Sequence, residues 1–233
     1  MATYVVAESE IESSREQGDT AEVRVAFDHS NGCERLEQRL IRFHPGRSLP
    51  RALDGRQEIL YVVSGTATLR LGSDEHPLEP ETGVFLGTGE TYEVETAEGL
   101  MVVSVTVPAG QARSQSPTVT RFADCEEKRA DENRTFRVLL DTDVTQFVGL
   151  VLPCRALDHS HPYDEVGYIV DGQGFAHVGG ATIPIAPGSC FHLPPDEVHC
   201  IENVGPDLMR IMGVFYPAGS PKQRAYDAAN SNN

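Results

Sequence analysis

The chain has 233 residues, enough for one large or two small domains with buried cores. Its net charge of −16, from 19 basic against 35 acidic residues, argues against a nucleic-acid partner and against docking on an anionic membrane. No apolar run approaches a membrane span, residues 1–12 lack the basic-then-apolar order of a secretory signal, and the five cysteines contain no C-x-x-C pair, so a cytoplasmic protein is expected.

Taken in chain order, the first β-rich runs are 59–63 and 66–71, with Gly65 placed for a turn and Pro80 at a strand edge. The polar stretch 111–118 (Gln-Ala-Arg-Ser-Gln-Ser-Pro-Thr) lacks apolar periodicity and reads as a linker. Residues 124–133 are the best candidate for a short helix, and no long amphipathic helix is expected. Further strands are expected at 165–170, 175–178 and 208–216, punctuated by Gly172, Pro187, Pro194 and Pro195. Short, closely spaced strands of this kind predict an all-β fold, a sandwich or barrel in each half.

The chain is written twice. Adding 107 to a position in the first half lands on its counterpart: Glu58 on Glu165, Tyr61 on Tyr168, Gly65 on Gly172, Gly72 on Gly179, Pro80 on Pro187, Glu90 on Glu197. Later, Pro108-Ala109-Gly110 matches Pro217-Ala218-Gly219 at an offset of 109. So long a period marks a duplicated domain rather than a stacked array. The predicted division is 1–110, a 111–118 linker, and 119–233.

One cluster carries chemistry. His159, His161, Glu165 and His199 are imidazole and carboxylate ligands of the kind that hold a divalent first-row metal. Residues two apart on a strand share a face, so His159 and His161 can address one ion; Glu165 keeps that parity, and His199 must arrive from a separate strand. The first half has Ala52, Asp54, Glu58 and Tyr92 at the equivalent positions, which predicts a metal-free N-terminal half with a structural role or a metal-free pocket near Arg51, Arg56 and Tyr92. His177 and His192 are expected to be hydrogen-bonded histidines of the barrel wall, with an acid–base role as the alternative. Tyr163 is a candidate for a phenol at the rim, Asn203 for a hydrogen-bonding support, and Cys190 and Cys200 for packing.

His159-x-His161-x3-Glu165-x6-Gly172 resembles the first cupin motif, and Pro187-Gly188 through Pro195, His199 and Asn203 resembles the second. Pro187-Gly188-Ser189 departs from the usual Pro-Gly-Asp. The chain is therefore similar to the bicupins, which implies two tandem jelly-roll β-barrels, a metal inside the C-terminal one, and a homodimer. One divalent ion per chain is expected, Fe2+, Mn2+ or Ni2+ foremost and Zn2+ as an alternative, leaving the three-His, one-Glu site at about +1. The resemblance implies a dioxygenase or related oxidoreductase acting on a small enol, diol or carboxylate, with Glu165 as a proton shuttle. The alternatives are an O2-independent isomerase, cyclase, decarboxylase or amidohydrolase, and a non-catalytic binding protein. Ureidoglycine aminohydrolase has a similar layout, with an empty first barrel, but a different ligand set.

Overall fold

Gly65 and Gly172, 107 positions apart, both take the left-handed conformation, at φ 83° and 91°. At each, a Cβ would collide with backbone, that of Gly99 in the first case and Met209 in the second, so only glycine closes these turns. The sequence repeat is thus a repeat of structure. In the computed structural model, which describes residues 4–52, 55–109, 118–222 and 225–226, strands Ala67–Leu71, Asp74–Leu78 and Thr82–Leu86 recur 107 positions on as Gly174–Val178, Ala181–Ile185 and Ser189–Leu193. Among the described residues the only helical elements are three single 3-10 turns, and no helix is long and apolar enough to cross a membrane.

Each half pairs a seven-stranded antiparallel sheet with a smaller one, in the jelly-roll manner. The large sheet of the first half centres on Arg56–Gly65, flanked by Thr82–Leu86 and Leu100–Pro108; that of the second centres on Asp164–Asp171, flanked by Ser189–Leu193 and Met209–Tyr216. Alternation along these central strands divides their side chains between two cores. Leu60 and Val62 pack inside the first half, whereas Ile59 and Tyr61 face the second. In the same way Ile169 points into the second half, while Val166 and Tyr168 join the shared seam. The seam also carries two reciprocal hydrogen bonds, Gln38 Nε2 to the Gly167 carbonyl (2.9 Å) and Gln146 Nε2 to the Leu60 carbonyl (3.1 Å).

Two expectations change. The first is the domain boundary, because the halves exchange edge strands. Val5–Ala7 pairs with Ser189–Leu193 of the second half, and Thr118–Arg121 pairs with Thr82–Leu86 of the first. Thr118, assigned to the linker, therefore opens a strand, while 111–117 lie outside the described residues. The second is the helix at 124–133. Phe122–Asp124 form a single 3-10 turn, and Lys128–Arg129 pair as a strand with Arg134–Asp141. The segment has no apolar face for a helix to bury, and Asp131 closes a turn instead, accepting from the Asn133 backbone (3.0 Å) and pairing with Arg134 (2.6 Å). All five cysteines are free thiols, with Cys33, Cys190 and Cys200 buried.

Candidate metal centre

Glu165 lies on the central strand of the large C-terminal sheet, and His159 and His199 are cross-strand partners in the small sheet opposite. His161 follows two residues after His159, in the loop that returns to the large sheet. The loop before His199 hooks this segment: Asp196, at φ 62°, donates its backbone N–H to the His161 carbonyl at 2.8 Å. Its N-terminal counterpart, Gly89, has φ 83°, so the repeat keeps the bend even where the histidine is gone.

These elements bring the ligand atoms of His161, Glu165 and His199 within 4.8 Å of one another. His159 lines the same cavity, its ring centroid 4.6 Å from that of His199 and 6.5 Å from that of His161. All four side chains are buried. Each imidazole is also oriented by a backbone carbonyl: Nδ1 of His159, His161 and His199 bonds to Leu157 O (2.9 Å), Tyr163 O (2.9 Å) and Glu197 O (2.8 Å). A carbonyl only accepts, so each Nδ1 must carry the proton, and each neutral ring then presents an Nε2 lone pair. This is the arrangement by which metal-binding histidines are held in the ligating tautomer.

The electrostatics agree. His161 Nε2 lies 2.8 Å from Glu165 Oε2. If that nitrogen bore no proton, two lone pairs would face each other, and only a cation between them makes the contact favourable. Burial by itself would lower the His161 pKa, but the bond to Glu165 and its charge outweigh burial and leave it raised. Burial dominates at His199, pushed down to about 3, so that imidazole is neutral at physiological pH. The donor set and its tautomers fit a divalent first-row metal ion.

The cavity amounts to about 80 Å3, several times what one water needs. Its walls are mainly apolar: Tyr163 stacks on His161 (4.5 Å, 13°), and Phe215 touches His161, Tyr163 and Phe147 at 5.4, 4.5 and 4.6 Å. Arg134 lines the cavity with its charge already paired to Asp131 at 2.6 Å.

Residues 153–215, which contain all four candidate ligands, match the family model described as a cupin domain. That segment forms a cupin domain. Over 64 residues it is 30% identical to an uncharacterized protein of Methanocaldococcus jannaschii; the match takes in 27% of this chain and spans about half the length of that relative. A mutant of Bacillus subtilis oxalate decarboxylase superposes on this chain with a TM-score of 0.79 at 13% identity, over 97% of this chain and 80% of that one. The same enzyme at pH 4.6 gives 0.77 at 13% identity, over 97% and 78%. At such identity the likeness establishes a bicupin-like fold.

The first half has a different chemistry at the equivalent place. Tyr92, which stands for His199, is fully buried and donates its phenol to Glu58 at 2.9 Å, and Ser104 donates to the same carboxylate. Burial, and then the charge of Glu58, push the Tyr92 phenol well above its ordinary pKa. Arg51 pairs with Asp19 at 3.3 Å, and Arg56 bonds to Thr106 and the Arg35 carbonyl. Asp54, which stands for His161, lies outside the described residues.

The remaining candidates divide cleanly. His177 is bonded to Glu202 (2.8 Å) and Thr182 (3.1 Å), and His192 lies in the seam, 3.2 Å from Asp164; neither lines the cavity. Tyr163 is buried rather than at an open rim, donating to the Ser220 carbonyl at 2.7 Å. Asn203 makes three bonds, to the carbonyls of Val151 (2.9 Å) and Asp207 (2.8 Å) and from Gly205 N–H (2.9 Å). Burial raises the thiol pKa of Cys190 and takes that of Cys200 to about 12, so neither is a thiolate. Phe147, Phe191, Phe215 and Arg134 were not singled out by the sequence reading. For Phe147 and Phe191 the signal is the pair of glycines, Gly213 and Gly167, that stand where the first half has Ser104 and Leu60; Phe215 and Arg134 carry none.

Proposed function

We propose that this cupin is a metal-dependent enzyme with one active site, in its C-terminal half, where His159, His161, Glu165 and His199 hold a single divalent ion. The observation that carries the reading is the set of three Nδ1–carbonyl bonds, which turn three Nε2 lone pairs toward the space beside Glu165. A divalent ion there supplies Lewis acidity, lowering the pKa of a bound oxygen and polarising the substrate. Fe2+, Mn2+ and Ni2+ suit this donor set best, with Zn2+ as the alternative.

The chain's own residues supply the rest. The phenyl walls exclude water and thereby strengthen electrostatic interactions inside. Glu165, whose side chain lines the cavity, is the carboxylate placed to take up or return a proton. The carbonyl-bonded histidines stay fixed, so the geometry needs little reorganisation. The reaction we assign is oxidation, with O2, of a small substrate bearing enol, diol or carboxylate oxygens. The second reading is O2-independent chemistry such as decarboxylation, favoured by the fold likeness to oxalate decarboxylase; one of those similar structures is described in terms of Mn(II) centres. Arg134, the one arginine among the described residues that line the cavity, is already paired with Asp131, and we therefore rank decarboxylation below oxidation.

Metal analysis of the purified chain followed by oxygen-electrode assays tests both steps. One equivalent of metal, abolished by His161→Ala, is expected, together with substrate-dependent O2 consumption. Turnover that is unchanged under strict anaerobiosis would transfer the assignment to the second reading. Metal loss in Glu165→Ala with no turnover to lose would make this a binding protein.

A further inference from the structure

The floor of the C-terminal cavity differs from its N-terminal counterpart in a way that specifies a ligand shape. Across four adjacent strands, Phe147, Gly213, Gly167 and Phe191 stand in one cross-strand row. A Cβ on Gly167 would run into the Phe191 ring, and a Cβ on Gly213 into the Phe147 ring. Both rings are therefore laid over the neighbouring glycines, and both line the cavity. In the first half the same row reads Arg39, Ser104, Leu60 and Val84. There Leu60 and Val84 fill the barrel, and Ser104 is committed to Glu58. Duplication has thus yielded one filled barrel and one with a flat aromatic floor beside the candidate ligands.

We propose that the substrate has a planar, conjugated body, a single unsaturated ring or enol, joined to one chelating oxygen head, and that Phe147 and Phe191 are the specificity-determining residues that accept it. The inference rests on the metal reading above and adds the chemical class of the ligand. The head addresses the ion; the body slides over the two phenyl rings, where offset stacking favours a flat π-system over a saturated one. A volume of about 80 Å3 limits the body to one ring. Among the described residues that line the cavity the one arginine, Arg134, is already paired with Asp131, so a small dicarboxylate gains chiefly its contacts at the metal.

The test holds the chelating head constant across three hydroxamates and adds oxalate as a small dicarboxylate. Benzohydroxamate, cyclohexanecarbohydroxamate, acetohydroxamate and oxalate are titrated calorimetrically into Mn(II)-loaded full-length protein of measured metal content. Benzohydroxamate is expected to bind at least tenfold more tightly than each of the other three. In Phe147→Leu and Phe191→Leu that preference falls about tenfold, while acetohydroxamate affinity stays within twofold and each variant's melting temperature is followed separately. If a variant does not fold, the native comparison decides alone. Equal binding of flat and saturated rings, or tighter binding of oxalate, to metal-loaded protein overturns the planar-substrate inference and leaves the metal site standing. Failure to load metal overturns the metal site, and this inference with it.

Discussion

Glu165→Gln separates the charge of this carboxylate from its shape. At 2.8 Å and an effective dielectric near 20, the His161–Glu165 pair has a gross attraction of about 6 kcal/mol, much of it offset by desolvation. The balance leaves the His161 pKa raised above its ordinary value. At pH 6 a histidine with an ordinary pKa near 6.5 holds about three quarters of a proton, so metal-free His161 must hold more. A metal ion has to displace that proton, because Nδ1 stays bonded to Tyr163 O and Nε2 is the ligand atom. Metal affinity should therefore fall up to tenfold for each pH unit below the His161 pKa. In Glu165→Gln burial governs His161 and lowers its pKa, so the variant should release a smaller fraction of a proton at pH 6 as well as binding metal more weakly. Calorimetric metal titration in buffers of different ionisation enthalpy reads the proton count directly. Stability follows with the opposite sign in the metal-free protein: a raised pKa stabilises below the unfolded value and its contribution disappears as pH rises through the folded value. The stabilisation conferred by metal should accordingly widen with pH. Equal proton release by wild type and Glu165→Gln would refute the assignment of Nε2 as the shared atom.

Three further outcomes are expected. Asn203→Ala removes three hydrogen bonds and should cost about 3 kcal/mol, lowering the melting temperature by roughly 6–12 °C with metal content unchanged; a shift below 2 °C in calorimetry contradicts the supporting role. Tyr92→Phe withdraws a donor from buried Glu58 and should cost about 1–3 kcal/mol in urea unfolding; altered metal stoichiometry would mean that the first half takes part in binding. Asp164 is pulled in two directions: burial raises its pKa, but His192 and Arg35 outweigh burial and lower it. Its contribution to stability is present above the ordinary carboxylate pKa and lost as pH falls through the lower folded value, so Asp164→Asn should flatten the acid limb of stability below about pH 4, and parallel urea midpoints for the two proteins from pH 2 to 5 would contradict this.

The parts of this molecule that are legible in its sequence are those governed by local rules. Paired glycines such as Gly72 and Gly179 mark turns at φ 59° and 58° because few other residues adopt that conformation without strain. The strand-parity reading of 159–165 gives way: the strand His159–Ser160 ends before His161, which reaches the site from a loop, and Glu165 comes from the opposite sheet, while His199 does arrive from a separate strand, paired with His159. Val5–Ala7 escaped notice because a three-residue strand has no pattern of its own, and its partners, Ser189 to Phe191, are distant in sequence. The helix expected at 124–133 gave way to a turn built on the Asp131 carboxylate, a tertiary and side-chain choice that propensity does not contain. Phe147 and Phe191 look like any core aromatic in the sequence; only their cross-strand glycine partners set them apart.

The reciprocal exchange of Val5–Ala7 and Thr118–Arg121 has a consequence for assembly. The first half completes its sheet only with residues beyond 117, while Val5–Ala7 belongs to the sheet of the second half. Val5–Ala7 closes the sheet edge next to Phe191, which lines the cavity of the second half. Cutting the chain between the halves would leave each fragment with an exposed sheet edge and one strand belonging to the other, the condition that favours aggregation. The two halves interlock as two separate polypeptides would in a strand-swapped pair, with the chain itself as the tether.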